Sequence, residues 1–175
     1  MQNASLALTV LAIALVCIAI IASTGNARTI NADPGTFSGK VRYVTDGDTF
    51  FIGDHEIRLW GVDAPEMKQP FYHRVSGQPV PAGRQAQQAL RRIVKGKTVT
   101  CRIKHRDRFG RIVGQCFIGT EDIGRIMIQQ GHAFDWPHYS RGLYAADEQY
   151  ARSRGNGIWT TRFDSTPWTW RRLNP

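Results

Sequence analysis

Two runs decide how this chain is read: Asp46-Gly47-Asp48-Thr49 and Arg58-Leu59-Trp60-Gly61-Val62-Asp63-Ala64-Pro65-Glu66. They put several carboxylates and a guanidinium into one short segment. Carboxylates packed this closely repel one another unless something neutralises them. A hard divalent cation such as Ca²⁺ or Mg²⁺ takes oxygen ligands of this kind. The arginine keeps its proton and forks onto a phosphate better than a lysine does. A cation, an arginine and a spare carboxylate together suit phosphodiester hydrolysis. The cation polarises the phosphate, the arginine balances the growing charge and the carboxylate activates water.

Working outward, the flanking residues read as short strands. Val41, Tyr43 and Thr45 alternate with Lys40, Arg42 and Val44, and Asp46-Gly47 is a hairpin turn signal. Thr49 to Ile52 is β-rich, Gly53-Asp54 makes another turn, and Glu56 to Trp60 forms a third strand. This meander starts a small antiparallel barrel. Arg58 and Asp63 are an odd number of residues apart, so an unbroken strand would point them to opposite faces. They converge only if the chain ends its strand or bulges near Gly61.

Arg84 to Val94 is an amphipathic helix with Ala86, Ala89, Leu90 and Ile93 on one face and Gly96 past its end. Lys97 to Lys104 and Arg111 to Ile118 form a strand pair around Asp107-Arg108-Phe109-Gly110, which suits a type I turn. Two further helices are expected, Ile123 to Gln130 and Leu143 to Arg154. Helices that fall late and between strands indicate an α+β domain.

The order Asp46-Gly47-Asp48-Thr49, Arg58, Val62 to Glu66, Asp107 to Arg111 and Gly157-Ile158-Trp159 resembles the thermonuclease, or staphylococcal nuclease-like, family. The resemblance runs from about Gly39 to Trp159. It implies a five-stranded antiparallel OB-type β-barrel with three helices packed on it. It also implies a Ca²⁺-dependent nuclease acting on DNA and RNA. Ca²⁺ would be held by the carboxylates of Asp48 and Asp63 and the main-chain oxygen of Ala64, where the family commonly has threonine. Asp46 would support these ligands from behind. Glu66 would be the general base, and Arg58 and Arg111 would grip the phosphate. Arg108, Phe109 and Tyr139 would touch substrate; Phe109 stands where a tyrosine is usual and Arg108 where lysine is frequent.

The remaining features set the context. The net charge of +9 over 175 residues suits a polyanionic partner, nucleic acid or an anionic membrane surface. Leu6 to Ala22 is almost continuously apolar, and small residues Gly25-Asn26-Ala27 precede Arg28. Residues 1–27 read as a secretory signal peptide, with an uncleaved membrane anchor as the alternative, so the expected location is outside the cytoplasm. Residues 28–38 read as a linker, 39–160 as the domain and 161–175 as a tail. The tail's Trp168, Trp170, Arg171 and Arg172 suit contact with nucleic acid or membrane, or docking back onto the domain. Cys101 and Cys116 are directly opposed if Asp107 pairs with Gly110, and face opposite ways if Gly110 forms a bulge. An exported protein could oxidise the pair. His73, in the long loop from Met67 to Ala82, is a lone histidine that reads as a bystander more than a ligand. No Gly-rich phosphate loop, Ser-His-Asp pattern or close Cys/His spacing for zinc occurs. A monomer is expected. The rival reading is a non-catalytic module of the same fold that binds nucleic acid or protein, tethered to the envelope.

Overall fold

The computed structural model describes residues 35–175, so the apolar leader with its Cys17, and most of the segment read as a linker, lie outside the described residues. The meander forms from strands β1 (Thr36–Val44), β2 (Thr49–Ile52) and β3 (His55–Leu59), joined by the two tight turns. β1 then pairs on its other edge with β6 (Thr98–Arg106), and β6 with β7 (Ile112–Ile118). The sheet order is β3-β2-β1-β6-β7, and β7 returns beside β3. That last pairing is parallel, with Ile57 opposite Ile112 and Leu59 opposite Gly114. The five-stranded barrel is therefore closed but mixed, not purely antiparallel. Closure leaves no free edge between first and last strand.

Alternate residues of these strands fill the interior: Phe50 and Ile52, Ile57 and Leu59, Val99 and Cys101 are all buried. Helix α1 (Ala82–Val94) closes one end of this core with Ala86, Ala89, Leu90 and Val94. Helix α2 (Ile123–Gln129) adds Ile123, Met127 and Ile128. It starts at Asp122, whose carboxylate accepts from the Arg125 amide at 3.2 Å, a cap that satisfies one free helix donor.

The chain then turns through a short helix α3 (Pro137–Ser140), which the sequence pattern did not mark, into α4 (Ala145–Arg154). A 3₁₀ turn over Gly157–Thr160 follows, and the C-terminal segment ends in helix α5 (Pro167–Leu173). A second apolar cluster forms here from Phe71, Phe134, Ala151, Ile158 and Trp159, with Phe163 and Trp168 packed against it. The last segment is therefore docked on the domain. Three helices were expected and five are seen among the described residues. Glu148 of α4 is structural: it accepts from the Asp135 amide at 2.7 Å and pairs with Arg152. Among the described residues no helix is long and apolar enough to cross a membrane.

Two glycines make the central motif geometrically possible. Gly61 follows the end of β3 with φ of +72°, and a Cβ there would lie 3.0 Å from the side chain of Ser140. The chain turns there, so Asp63 belongs to a separate short strand β4 (Val62–Asp63), paired with β9 (Phe134–Asp135). Gly47 lies so close to Ala64 and Ala86 that a Cβ would sit 2.5 and 2.6 Å from their methyl groups.

The β6–β7 hairpin holds two irregularities that cancel. Gly110 takes φ of +83° after the type I turn, and the Asp107 amide donates to the Arg111 carbonyl at 3.0 Å, so the register shifts by one. Lys104 is an extra residue between Ile103 and His105, and it shifts the register back. Cys101 consequently lies opposite Cys116, and the two are joined by a disulfide.

Gly61→Ala should lower folding stability by about 1–2 kcal/mol from the left-handed backbone alone, and by more if Ser140 cannot shift, as read by denaturant unfolding. The disulfide closes a separation of 15 residues; a Cys101→Ser, Cys116→Ser double variant should lose roughly 3 kcal/mol on a loop-entropy basis. Equal melting temperatures for variant and oxidised parent would contradict that.

Candidate active site

The motif residues converge around one guanidinium. Arg58, on β3, donates through Nη1 to Asp48 Oδ1 at 2.9 Å and through Nη2 to Asp63 Oδ1 at 2.6 Å. Asp48 is held further by the Thr49 hydroxyl on Oδ1 at 3.0 Å and by the Ala64 amide on Oδ2 at 3.0 Å. Asp46 accepts from the Asp48 amide at 3.1 Å. The turn before β2, the end of β3 and strand β4 are thus tied together by carboxylates. Asp48 and Asp63 are buried, at 3% and 0% exposure.

Burial of so many acids without equal positive charge has an electrostatic signature. Desolvation, then the neighbouring Asp48, pushes Asp46 up to about 7. The same two causes push Asp63 up to about 7, against the opposing pull of Arg58 and Arg171. Burial works against the charge of Arg58, but Asp48 and Asp63 outweigh it and raise its proton affinity. The cluster is short of positive charge.

In front of this cluster lies an open cleft of about 800 Å³. Asp46, Arg58, Glu66, Arg108, Phe109, Arg111 and Tyr139 all line it. Asp48, Asp63 and Ala64 are not on its lining; they form the buried floor behind Arg58. Register explains why the two expected arginines meet. Arg58 is opposite Val113 across the parallel β3–β7 pair, and Arg111 is two residues before Val113. Side chains two apart share a face, so Arg58 and Arg111 look the same way. Asp107 fixes Arg111: its Oδ2 accepts from Arg111 Nε at 2.7 Å and its Oδ1 from the Arg111 amide at 3.0 Å. Burial would raise Asp107, but these bonds prevail and hold it below the usual carboxylate range. Phe109 projects from the turn at 69% exposure, with the guanidinium groups of Arg108 and Arg111 lying 4.8 and 5.4 Å from its ring centroid. Tyr139, also on the lining, packs edge-on to Trp136 at 4.5 Å, and His105 lies near it. His73 is elsewhere, in the short pairing of Tyr72–His73 with Thr161–Arg162, where its Nδ1 accepts from the Ser76 amide.

Two cleft residues, Arg171 and Arg172, were read only as part of a tail. Arg171 of α5 donates to Asp63 Oδ2 at 2.9 Å and to Glu66 Oε1. Its partners lie 108 and 105 positions earlier in the chain. A signal did exist: Thr166-Pro167 can start a helix, and Trp168 and Arg171 then share a face. Gln69 was missed as well. It accepts from the Glu66 amide at 3.2 Å and donates to the Ser165 carbonyl at 2.7 Å, which links the motif to the C-terminal segment.

This arrangement has known counterparts. The family model described as staphylococcal nuclease homologue matches residues 56–161. The chain belongs to the staphylococcal nuclease family. Its domain is 32% identical over 139 residues to an uncharacterized endonuclease of Escherichia coli, covering 76% of this chain and 84% of that protein. It is 33% identical over 126 residues to the probable staphylococcal-like nuclease CAN3 of Oryza sativa subsp. japonica, covering 71% of this chain and 30% of that protein. It is 38% identical over 118 residues to the succinoglycan biosynthesis protein ExoI of Rhizobium meliloti (strain 1021), covering 66% and 61%. The chain thus spans about a third to three fifths of the length of these last two relatives.

Whether the staphylococcal nuclease domain here fits a cation can be judged from its donors. They are all hard oxygens, and they carry more negative charge than Arg58 and Arg171 offset, which fits a cation such as Ca²⁺. Among the described residues no set of three or more His, Cys, Asp or Glu is arranged as a ready-made metal cage; Arg58 and Arg171 occupy the two oxygens of Asp63.

A pH dependence follows from Asp46 and Asp63. Unfolded, both release protons near 4; folded, they hold them up to about 7. Between those values the folded state binds more protons, so its stability is lost as pH rises. Melting temperature in chelator should therefore fall from pH 5 to pH 8, and millimolar Ca²⁺ should flatten the slope. A melting temperature that climbs over that range in chelator would count against the charge shortage.

Proposed function

We propose that this domain is an exported, Ca²⁺-dependent nuclease that cleaves phosphodiester bonds within DNA and RNA. The observation that carries the reading is the single cleft lined by Arg58, Arg111 and Glu66 and floored by Asp48 and Asp63. The family membership and the name of the Escherichia coli relative support it.

Asp48, Asp63 and the Ala64 main-chain oxygen are the groups that would hold Ca²⁺, with Asp46 supporting Asp48 through its amide. When bound, the cation supplies polarisation of a phosphate oxygen. The protein does the rest. Arg58, anchored at its inner edge by two carboxylates, presents the remainder of its fork to the cleft as one grip on the phosphate. Arg111, oriented by Asp107, is the second, and both gain strength as charge grows on the phosphate oxygens. Glu66 takes the proton of the attacking water; Arg171 engages it through Oε1, so Oε2 is the oxygen for that transfer. Phe109 and Tyr139 offer rings to the same cleft, and Arg108 adds charge for a flanking phosphate.

Export is part of the proposal. The apolar run Leu6 to Ala22 and the Cys101–Cys116 disulfide both suit an oxidising compartment. The rival reading, a binding module without catalysis, leaves the buried acids unexplained. Burying Asp48 and Asp63 is costly unless charge is met, and a binding surface needs neither.

The test is nuclease activity of the purified protein on single- and double-stranded DNA and on RNA, with Ca²⁺ and then with chelator. Chelator should abolish cleavage. Arg58→Ala and Arg111→Ala should each lower kcat by roughly 10²–10³. A loss of only a few-fold at either position would remove that arginine from the chemistry.

A further inference from the structure

Helix α5 carries a second guanidinium to Asp63, a carboxylate that Arg58 already serves. The helix is seated independently of that contact. Trp168 packs against the second apolar cluster and stacks on Trp136 with centroids 5.8 Å apart. The guanidinium of Arg171 then lies 5.4 Å over the Trp136 ring and reaches Asp63 and Glu66. Both oxygens of Asp63 are consequently engaged, Oδ1 by Arg58 and Oδ2 by Arg171.

We propose that Arg171 sets the affinity of this site for divalent cation, as a resident counter-ion that competes with the cation for Asp63. The inference rests on the cation-dependent reading of the same site. A cation on Asp63 would stand beside Arg171 in a buried setting where like charges repel far more than in water. Cation binding and the Arg171–Asp63 contact therefore oppose each other, and the opposition is reciprocal: each weakens the other by the same factor. The charge count gives the sign. Among the described residues Asp48, Asp63 and Glu66 form their ion pairs with Arg58 and Arg171, and Asp46 adds its charge beside Asp48, so removing Arg171 enlarges a negative surplus that a divalent cation takes up. If Arg171 merely braced the carboxylates, its loss would free Asp63 and Glu66 to move, and cation binding would weaken. The two roles predict opposite changes.

Titration calorimetry of Ca²⁺ into the full chain measures this directly. Arg171→Gln should bind Ca²⁺ roughly tenfold more tightly than the parent. Arg171→Lys, which keeps the charge but loses the fork, should fall between them. In chelator Arg171→Gln should melt below the parent, and saturating Ca²⁺ should close that gap. An unchanged or raised Kd in a folded Arg171→Gln, checked by the near-ultraviolet dichroism of the Trp136–Trp168 pair, overturns the proposal. If the Gln variant does not fold, an unchanged or raised Kd in Arg171→Lys overturns it. The underlying reading fails separately. A parent that binds Ca²⁺ but cleaves no nucleic acid removes the nuclease assignment and leaves Arg171 to be judged by Kd. A parent that binds no Ca²⁺ removes both.

Discussion

A carboxylate taken out of water must be met by positive charge, and this domain takes two of them almost wholly out of water within a few residues of a third and a fourth. Arg58 is the answer built into the barrel. Its fork bridges Asp48 and Asp63 and so ties the end of β3 to the turn before β2 and to β4. The local backbone obeys the same demand. The Asp46-Gly47-Asp48 turn must press against Ala64 and α1, and the chain must reverse at Gly61, before those oxygens can face one guanidinium. Ion pairs of this kind contribute little net stability compared with an apolar core. Their retention in a small barrel makes sense as machinery, and the raised Asp46 and Asp63 show that one arginine does not finish the neutralisation.

What the sequence made legible was the part of the site that is local. Asp46 to Glu66 is three short strands joined by tight turns, so its residues are near one another whatever the rest of the chain does. Arg111 was found because the run Asp107 to Arg111 resembles the family's motif; its place beside the turn would by itself read as a strand-end arginine in water. The amphipathic helices were legible as local patterns, since a face such as Ala86, Ala89 and Leu90 is written every three to four residues. Arg171 was not. Its partner Asp63 lies 108 positions earlier, and no periodicity links a terminal arginine to a buried acid. Alternation alone could not fix the cysteines either. Whether Cys101 faces Cys116 depends on two single-residue irregularities, at Gly110 and Lys104, that shift the ladder in opposite senses. Only the first has a sequence signal, a glycine after a type I turn; a lysine in a strand carries none.

The mixed closure of the barrel has a functional consequence that a wholly antiparallel barrel would not share. In the parallel β3–β7 pair both strands run toward the same end of the barrel, so residues early in β7 lie beside the middle of β3. Arg58 meets Val113 there, and Arg111, two positions earlier, shares its face. Had β7 run the other way, matching Val113 to Arg58 would carry Arg111 toward Trp60 instead of toward Glu56. It would then lie beside the Gly61 turn, the segment that Trp136 closes off by donating its amide to the Gly61 carbonyl. The antiparallel hairpin Cys101–Cys116 and the parallel closure are therefore complementary. The first, with its disulfide, holds the Asp107–Arg111 turn on a stiff stem. The second decides which part of the carboxylate cluster that stem overhangs. Together the two constraints bring Arg58 and Arg111 to one cleft. This explains why a residue as remote as Cys116 belongs to the same physical account as Arg58.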